Sequence, residues 1–277
     1  MEVVLAEYLG FCYGVKRAIH LARSSAPTDG RTACTLGPII HNPQMVERLA
    51  EEGVGMVNSI SEMPDEGTII IRSHGVGPKI YDEAEMRHLK LIDATCPHVK
   101  KAQMAAHELS NAGYAVVIIG EKHHPEVKSI FEWSGEKASV IESEAEADAL
   151  MPVGKMGIVA QTTFSGEKFR VIVDRLLSKS NDIRILRTIC SATDQRQKAA
   201  IELAEKVDMM LVIGGKNSAN TTRLAQLCAE KCETYHIETV AELQDNWFDK
   251  KVKIGITAGA STPDWVIREV YEKCQRI

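Results

Sequence analysis

The chain repeats itself three times, and that repeat limits the fold more than any other feature. Three segments each run from a short apolar stretch through a cysteine into a helix-like stretch: AEYLGFCYGVKRA around Cys12, LIDATCPHVKKAQ around Cys96 and ILRTICSATDQRQ around Cys190. Each is followed by a strand end bearing glycine and then a polar loop, LGPIIHNPQM, IGEKHHPEVK and IGGKNSANTT in turn. Gly37 to His41, Gly120 to His124 and Gly214 to Ser218 are each four residues apart, and the cysteines precede those polar residues by 29, 28 and 28 positions. A period of about 90 residues marks one supersecondary unit used three times. Three isolated cysteines on three equivalent turns predict one three-ligand site at a pseudo-threefold centre.

Between these landmarks, strand and helix signals alternate with no Pro/Ser-rich linker. Strands are expected over Val3–Ala6, Ala33–Leu36, Thr68–Arg72, Leu91–Ala94, Ala115–Ile119, Met156–Ala160, Ile183–Leu186, Met209–Ile213 and Val252–Ile256. Such alternation predicts parallel sheets flanked by helices, an α/β fold. Each unit has a second polar loop after a strand: RSHGVGPKI with His74, AQTTFSGEK with Thr162 and Thr163, and TAGASTPDW with Ser261 and Thr262. The first two units end in a strand that delivers the next cysteine. The third ends in a helix, so the strand before Cys12 is its missing piece. The expected architecture is three pseudo-threefold-related α/β lobes around a central cleft, spanning 13–96, 97–189 and 190–277, the last completed by residues 1–12. Ligands in such sheets bind at the carboxyl ends of the strands, where the repeated loops lie.

Composition narrows the partners. A length of 277 residues with 44% hydrophobic and 26% charged content fits a globular protein with a substantial core. Net charge is −5, without a basic stripe, which argues against nucleic acid. The longest apolar runs, 115–119 and 209–213, are far too short to span a bilayer, so no membrane is expected. The first residues, MEVVLAEYLG, read as a strand and not a signal peptide, leaving the cytoplasm as the expected compartment. Seven cysteines, an odd number with no CxxC pair, do not form a secreted disulfide framework. Cys34, Cys228, Cys232 and Cys274 read as packed residues.

Cysteine thiolates hold iron–sulfur clusters, normally four per cubane, and a three-cysteine site leaves one iron open to a non-protein ligand. Zinc on three thiolates is the alternative, but zinc is redox-inert. The bland reading, three buried inert cysteines, has to explain three matched positions. The loops point to an anion. His41, His124 and Ser261 stand just before Pro43, Pro125 and Pro263, and Pro is favoured at the first helical position. Free N–H groups and the helix dipole favour phosphate there. No Walker A sequence occurs, and the GVG at 75–77 lacks the third glycine of a dinucleotide fingerprint. A phosphate-bearing small molecule held by His, Ser, Thr and Asn is therefore expected.

The segments FCYGVKRAI, GPIIHNP, RSHGV, IDATCPHV, HHPEV, QTT, ICSAT, KNSAN and TAGASTPDW, from residue 10 to about residue 265, resemble the ordered motifs of the hydroxymethylbutenyl diphosphate reductases, the LytB/IspH family. The resemblance implies an oxygen-sensitive enzyme with one [4Fe–4S] cluster per chain at the end of the non-mevalonate isoprenoid pathway. Such an enzyme reductively removes the allylic hydroxyl of its diphosphate substrate, giving isopentenyl and dimethylallyl diphosphates, with electrons from ferredoxin or flavodoxin. Carried over by position, it implies Cys12, Cys96 and Cys190 as cluster ligands. It places His41, His74, His124, Thr162, Thr163, Ser218, Ala219, Asn220 and Ser261 around the substrate, with Glu126 as proton source and Thr162 beside it. Ala219 stands where a second serine is often found and lacks that hydroxyl; Ser191 stands where asparagine is common. The rival reading is a non-catalytic cluster-bearing sensor or phosphometabolite-binding module, which would need no carboxylate such as Glu126.

Overall fold

The computed structural model describes residues 1–27 and 31–277. In chain order the first elements are β1 (Glu2–Leu5), α1 (Tyr13–Ser24), β2 (Ala33–Leu36), α2 (Pro43–Glu51), β3 (Gly55–Val57), β4 (Thr68–Ile71), α3 (Pro78–Met86) and β5 (Lys90–Asp93). The second lobe follows with α4 (Pro97–Asn111), β6 (Ala115–Ile119), α5 (Pro125–Trp133), β7 (Ser139–Ile141), α6 (Glu144–Ala149), β8 (Lys155–Ala160), α7 (Gly166–Leu176) and β9 (Asp182–Ile185). The third contains α8 (Ser191–Ala204), β10 (Met209–Ile213), α9 (Ala219–Ala229), β11 (Glu233–Ile237), β12 (Lys253–Ala258) and α10 (Asp264–Gln275).

Three four-stranded parallel sheets result, in the orders β3-β2-β4-β5, β7-β6-β8-β9 and β11-β10-β12-β1. The three orders are one order. The N-terminal strand takes in the third sheet the place that β5 and β9 take in the others, with Val3 beside Ile254 and Leu5 beside Ile256. This is the closure expected from the missing strand of the third unit. Runs such as AVVII in β6 and MMLVI in β10 are buried on both faces, as strands covered by helices on each side must be. By packing, the chain divides into two compact units, one of residues 1–16, 40–48 and 191–277, the other of residues 17–39 and 49–190.

The sequence reading missed three strands, and they are equivalent. β3, β7 and β11 are the outer strands, each following the helix after the first polar loop. Their sequences, GMV, SVI and ETYHI, are short or polar, and only one residue in each is buried. A signal was nonetheless present. Each strand runs into Ser/Thr-x-x-Glu, namely Ser59 to Glu62, Ser143 to Glu146 and Thr239 to Glu242. The first and last form capping boxes, and Ser143 caps the short helix α6. The reach back is the same in all three: Glu62, Glu146 and Glu242 accept from the N–H of Asn58, Glu142 and Glu238. At α10 the expected start moves by one residue, since Pro263 is the N-cap and Asp264 the first helical residue.

Candidate active site

Each of the three cysteines is held in the same way. The N–H of Cys96 donates to the Ser73 carbonyl at 2.9 Å, that of Cys190 to the Thr162 carbonyl at 2.9 Å, and that of Cys12 to the Ala260 carbonyl at 3.2 Å. Ser73, Thr162 and Ala260 are the second residues after β4, β8 and β12, so every cysteine is pinned to the second polar loop of the sheet whose last strand, β5, β9 or β1, leads into it. Each also stands directly before a helix, α1, α4 or α8. All three are half-buried. Cys34, Cys228 and Cys274 are buried, and burial pushes the Cys274 thiol up to about 11 and the Cys228 thiol up to about 12. A ligand set of three thiolates therefore fits Cys12, Cys96 and Cys190 and does not fit these buried thiols.

In the unit of residues 17–39 and 49–190, the second loops of β4 and β8 meet the first turn of α5. The His74 and His124 rings lie edge to face, with centroids 5.5 Å apart. His124 is the N-cap of α5, and its Nδ1 accepts the Glu126 N–H at 3.2 Å. An accepting Nδ1 leaves the proton of the neutral ring on Nε2. Glu126, in the first turn of α5, is only 2% exposed. Its carboxylate accepts the Thr162 N–H at 2.5 Å and the Thr162 hydroxyl at 2.9 Å. Those bonds favour the charged form, but burial opposes it more strongly, aided by the negative charge of Glu121, and the carboxyl is raised to about 7.

Behind these groups stands a support that sequence reasoning missed. Ser129 Oγ lies 3.0 Å from the His74 carbonyl and 2.8 Å from the Glu126 carbonyl, and it accepts from Gln103 Nε2 at 3.1 Å. Gln103 is fully buried on the face of α4 that carries Ala102 and Ala106. A glutamine among alanines at helical spacing on a buried face is the signal that could have found it. Gln161 pins the neighbouring loop, accepting the Glu121 N–H and donating to Thr163 Oγ1, both at 2.9 Å.

The unit of residues 1–16, 40–48 and 191–277 holds the remaining predicted residues. Ser218 caps α9 by accepting from the Thr221 N–H, and Ala219 and Asn220 are the first two helical residues. Asn220 is 5% exposed and Ser261 8% exposed, yet among the described residues neither Asn220 amide atom nor Ser261 Oγ has a hydrogen-bond partner. Burying such groups unpaired costs about 1–3 kcal/mol each, a cost a ligand rich in acceptor oxygens would remove. His41 lies half-buried in the loop before α2, and a Cβ on Gly215 would stand only 3.2 Å from its carbonyl oxygen. Arg196, 6% exposed, donates to the Gly10 carbonyl at 2.9 Å and so holds the turn leading to Cys12. Among the described residues no helix is long and apolar enough to cross a membrane.

The sequence profile of the LytB protein family matches residues 3–275. The chain belongs to the LytB protein family. A relative from Geotalea uraniireducens, named 4-hydroxy-3-methylbut-2-enyl diphosphate reductase, is 51% identical over the whole of this chain and 98% of its own length. One of the same name from Trichlorobacter lovleyi is 49% identical, over all of this chain and 99% of its own. Among solved structures, one described as (E)-4-hydroxy-3-methyl-but-2-enyl diphosphate reductase, the terminal enzyme of the non-mevalonate pathway, is 43% identical with a TM-score of 0.76, and each chain is fully covered. The E-1-hydroxy-2-methyl-but-2-enyl-4-diphosphate reductase of Plasmodium falciparum is 28% identical with a TM-score of 0.92, covering 99% of this chain and 87% of that one. The fold agrees with both, as expected of three parallel-sheet lobes.

Proposed function

We infer that this chain is an oxidoreductase that converts 4-hydroxy-3-methylbut-2-enyl diphosphate to isopentenyl and dimethylallyl diphosphates by reductive removal of the allylic hydroxyl, the last step of the non-mevalonate pathway. The observation that carries the inference is likeness over the full length, at about half identity, to relatives named for that reductase. Cys12, Cys96 and Cys190 would hold one [4Fe–4S] cluster, a role supported by their common pinning and their helix-start positions. Such a cluster would relay electrons from a reduced donor and, with three protein ligands, would leave one iron open to a non-protein ligand. The physiological donor would be a ferredoxin or flavodoxin. The lobe boundaries 13–96, 97–189 and 190–277 with 1–12 belong to the same proposal.

The residues divide the work. Asn220 and Ser261, buried without partners, would donate to the diphosphate together with Ser218 and the histidines His41, His74 and His124. The backbone at Ala219, the first residue of α9, and the loop residue Thr163 would complete that lining. The reaction consumes two electrons and two protons, one leaving with the hydroxyl as water and one added at carbon; Glu126 would deliver the proton to the leaving hydroxyl through Thr162, whose hydroxyl it already binds. A carboxyl raised to about 7 suits that task, because it holds a proton near neutral pH and can give it up. A cluster-bearing sensor would have no use for such a group. The test is anaerobic purification with iron and sulfide analysis, followed by incubation with substrate and a chemical reductant. Cluster-loaded protein should form both five-carbon diphosphates; a loaded protein that forms neither would refute the assignment.

A further inference from the structure

The internal repeat supplies its own control, because a feature present in one lobe and absent from the other two is not demanded by the fold. The residue directly after β4, β8 and β12 is Arg72, Gln161 and Gly259 respectively, and the residue directly after β3, β7 and β11 is Asn58, Glu142 and Glu238. In the second lobe the Glu142 carboxylate accepts the Lys122 N–H, and Gln161 accepts from Glu121. In the third the Glu238 carboxylate accepts the Lys216 N–H at 2.7 Å, and Gly259 packs against Thr221. Two lobes thus carry their own carboxylate at the carboxyl end of the sheet. The first lobe has an amide where they have that carboxylate, and an arginine where they have an amide or nothing.

At that place the first lobe is hollow. A cavity of about 200 Å³ opens at the ends of β2, β3 and β4, walled by Ile60, Val76 and Ile80 and bordered by Arg72, Asn58 and Lys128. The sheet order puts β3 and β4 on opposite sides of β2, so the chain reverses direction here, and such a switch point is where open α/β sheets bind ligands. Arg72 folds over Gly37, where the missing Cβ and a φ of +70° leave room for the guanidinium. Its Nε is buried without a partner, and it forms no ion pair among the described residues. Burial lowers its pKa and the negative charge of Glu132, on the far wall, offsets this in part. Lys128 is exposed at the mouth. Arg72 is half-buried, and a partly desolvated cation without a bonded anion is costly.

We propose that the first lobe carries a second anion site, separate from the substrate residues, in which Arg72 and Lys128 bind a small oxyanion with a short apolar body. The anion takes the place that Glu142 and Glu238 fill in the other lobes. None of His41, His74, His124, Asn220 or Ser261 lines the cavity. Its wall nevertheless includes Gly75 and Ser129, and Ser129 Oγ contacts the carbonyls of both His74 and Glu126. An occupant therefore bears on the proton-handling groups; this last step rests on the reductase reading, whereas the binding itself does not.

The test is anaerobic calorimetry on the cluster-loaded protein with two probes, 3-methylbutanoate and inorganic phosphate, which distinguish a carboxylate from a phosphate source. Three variants accompany it: Arg72→Gln, which installs the residue of the second lobe; Asn58→Glu, which installs the carboxylate of both other lobes; and Ser261→Ala, which alters the substrate loop. At least one probe should bind saturably, with Kd raised about tenfold or more in Arg72→Gln and in Asn58→Glu, as for a lost charge-assisted pair. Ser261→Ala should leave Kd unchanged. Should Arg72→Gln fail to fold, Asn58→Glu decides alone, since its carboxylate satisfies Arg72. The proposal is overturned if neither probe binds, if Asn58→Glu binds as well as the parent protein, or if Ser261→Ala abolishes binding and so moves the anion to the substrate loops.

Discussion

Glu126→Gln should make the protein more stable at high pH while removing its acid. The carboxyl ionises near 4.5 in an exposed reference and is raised to about 7 in the folded chain, chiefly by burial. Each pH unit of such a gap is worth about 1.4 kcal/mol, so the folded state forfeits about 3 kcal/mol once both states are ionised. The sign follows from proton counts. Between pH 4.5 and 7 the folded chain holds the proton and the unfolded chain has released it, so this group's contribution to stability falls as pH rises and is fully lost above pH 7. Glutamine has the same shape, can accept the Thr162 N–H and can donate to its hydroxyl, and it does not titrate. Urea unfolding of both proteins from about pH 5 to about pH 8 should give a stability difference, parent minus variant, that falls by about 2–3 kcal/mol. Infrared spectra should show a protonated carboxyl band in the parent at pH 6 that the variant lacks. Parallel stability profiles with no such band would mean that Glu126 is ionised throughout, and the argument that burial outweighs the two Thr162 bonds would fail.

Other outcomes follow from the same geometry. Cys96→Ser should lose most of its iron and sulfide, whereas Cys274→Ser, on a buried thiol in the α10 core, should load normally; chemical analysis after anaerobic reconstitution separates the two. Ser261→Ala removes a buried hydroxyl without a partner, so thermal melting should hold or rise while KM for the diphosphate increases by the equivalent of about 1–3 kcal/mol. Glu126→Gln should keep cluster and substrate affinity but lose about 10²–10⁴-fold in kcat, and a near-normal kcat would move the proton source elsewhere. Deleting residues 1–7 removes the strand beside β12. Proteolysis should then cut first within residues 191–277, and cutting confined to 31–94 would contradict the pairing.

The parts of the fold legible in the sequence are those where local chemistry and long-range pairing agree. β6 and β10 are unbroken apolar runs because helices cover both their faces, and the pairing of β1 followed from counting which unit lacked a strand. β3, β7 and β11 escaped because an outer strand borrows its geometry from a neighbour and needs little apolar character of its own, though Ser59, Ser143 and Thr239 each announced the turn that follows. At the site, the cysteines and loop histidines were visible as repeated positions. Gln103 and Ser129 were not, since Ser129 bonds the carbonyls of His74 and Glu126 and Gln103 donates to Ser129, and nothing in a sequence records which polar atom a side chain will meet. Arg72 was overlooked for the opposite reason. It differs from its counterparts, and a search for sameness passes over the position that breaks the repeat.

The pairing of β1 with β12 also fixes a timetable. Val3 leaves the ribosome long before its neighbour Ile254. The sheets of β2–β5 and β6–β9 draw all their strands from contiguous stretches, so they can close while synthesis continues, as domains commonly do. Cys12 cannot. The carbonyl that pins it belongs to Ala260, so its turn takes shape only after residue 260 has been made. The turns of Cys96 and Cys190 can therefore form before that of Cys12, and loading of the proposed three-cysteine cluster would wait for residue 260.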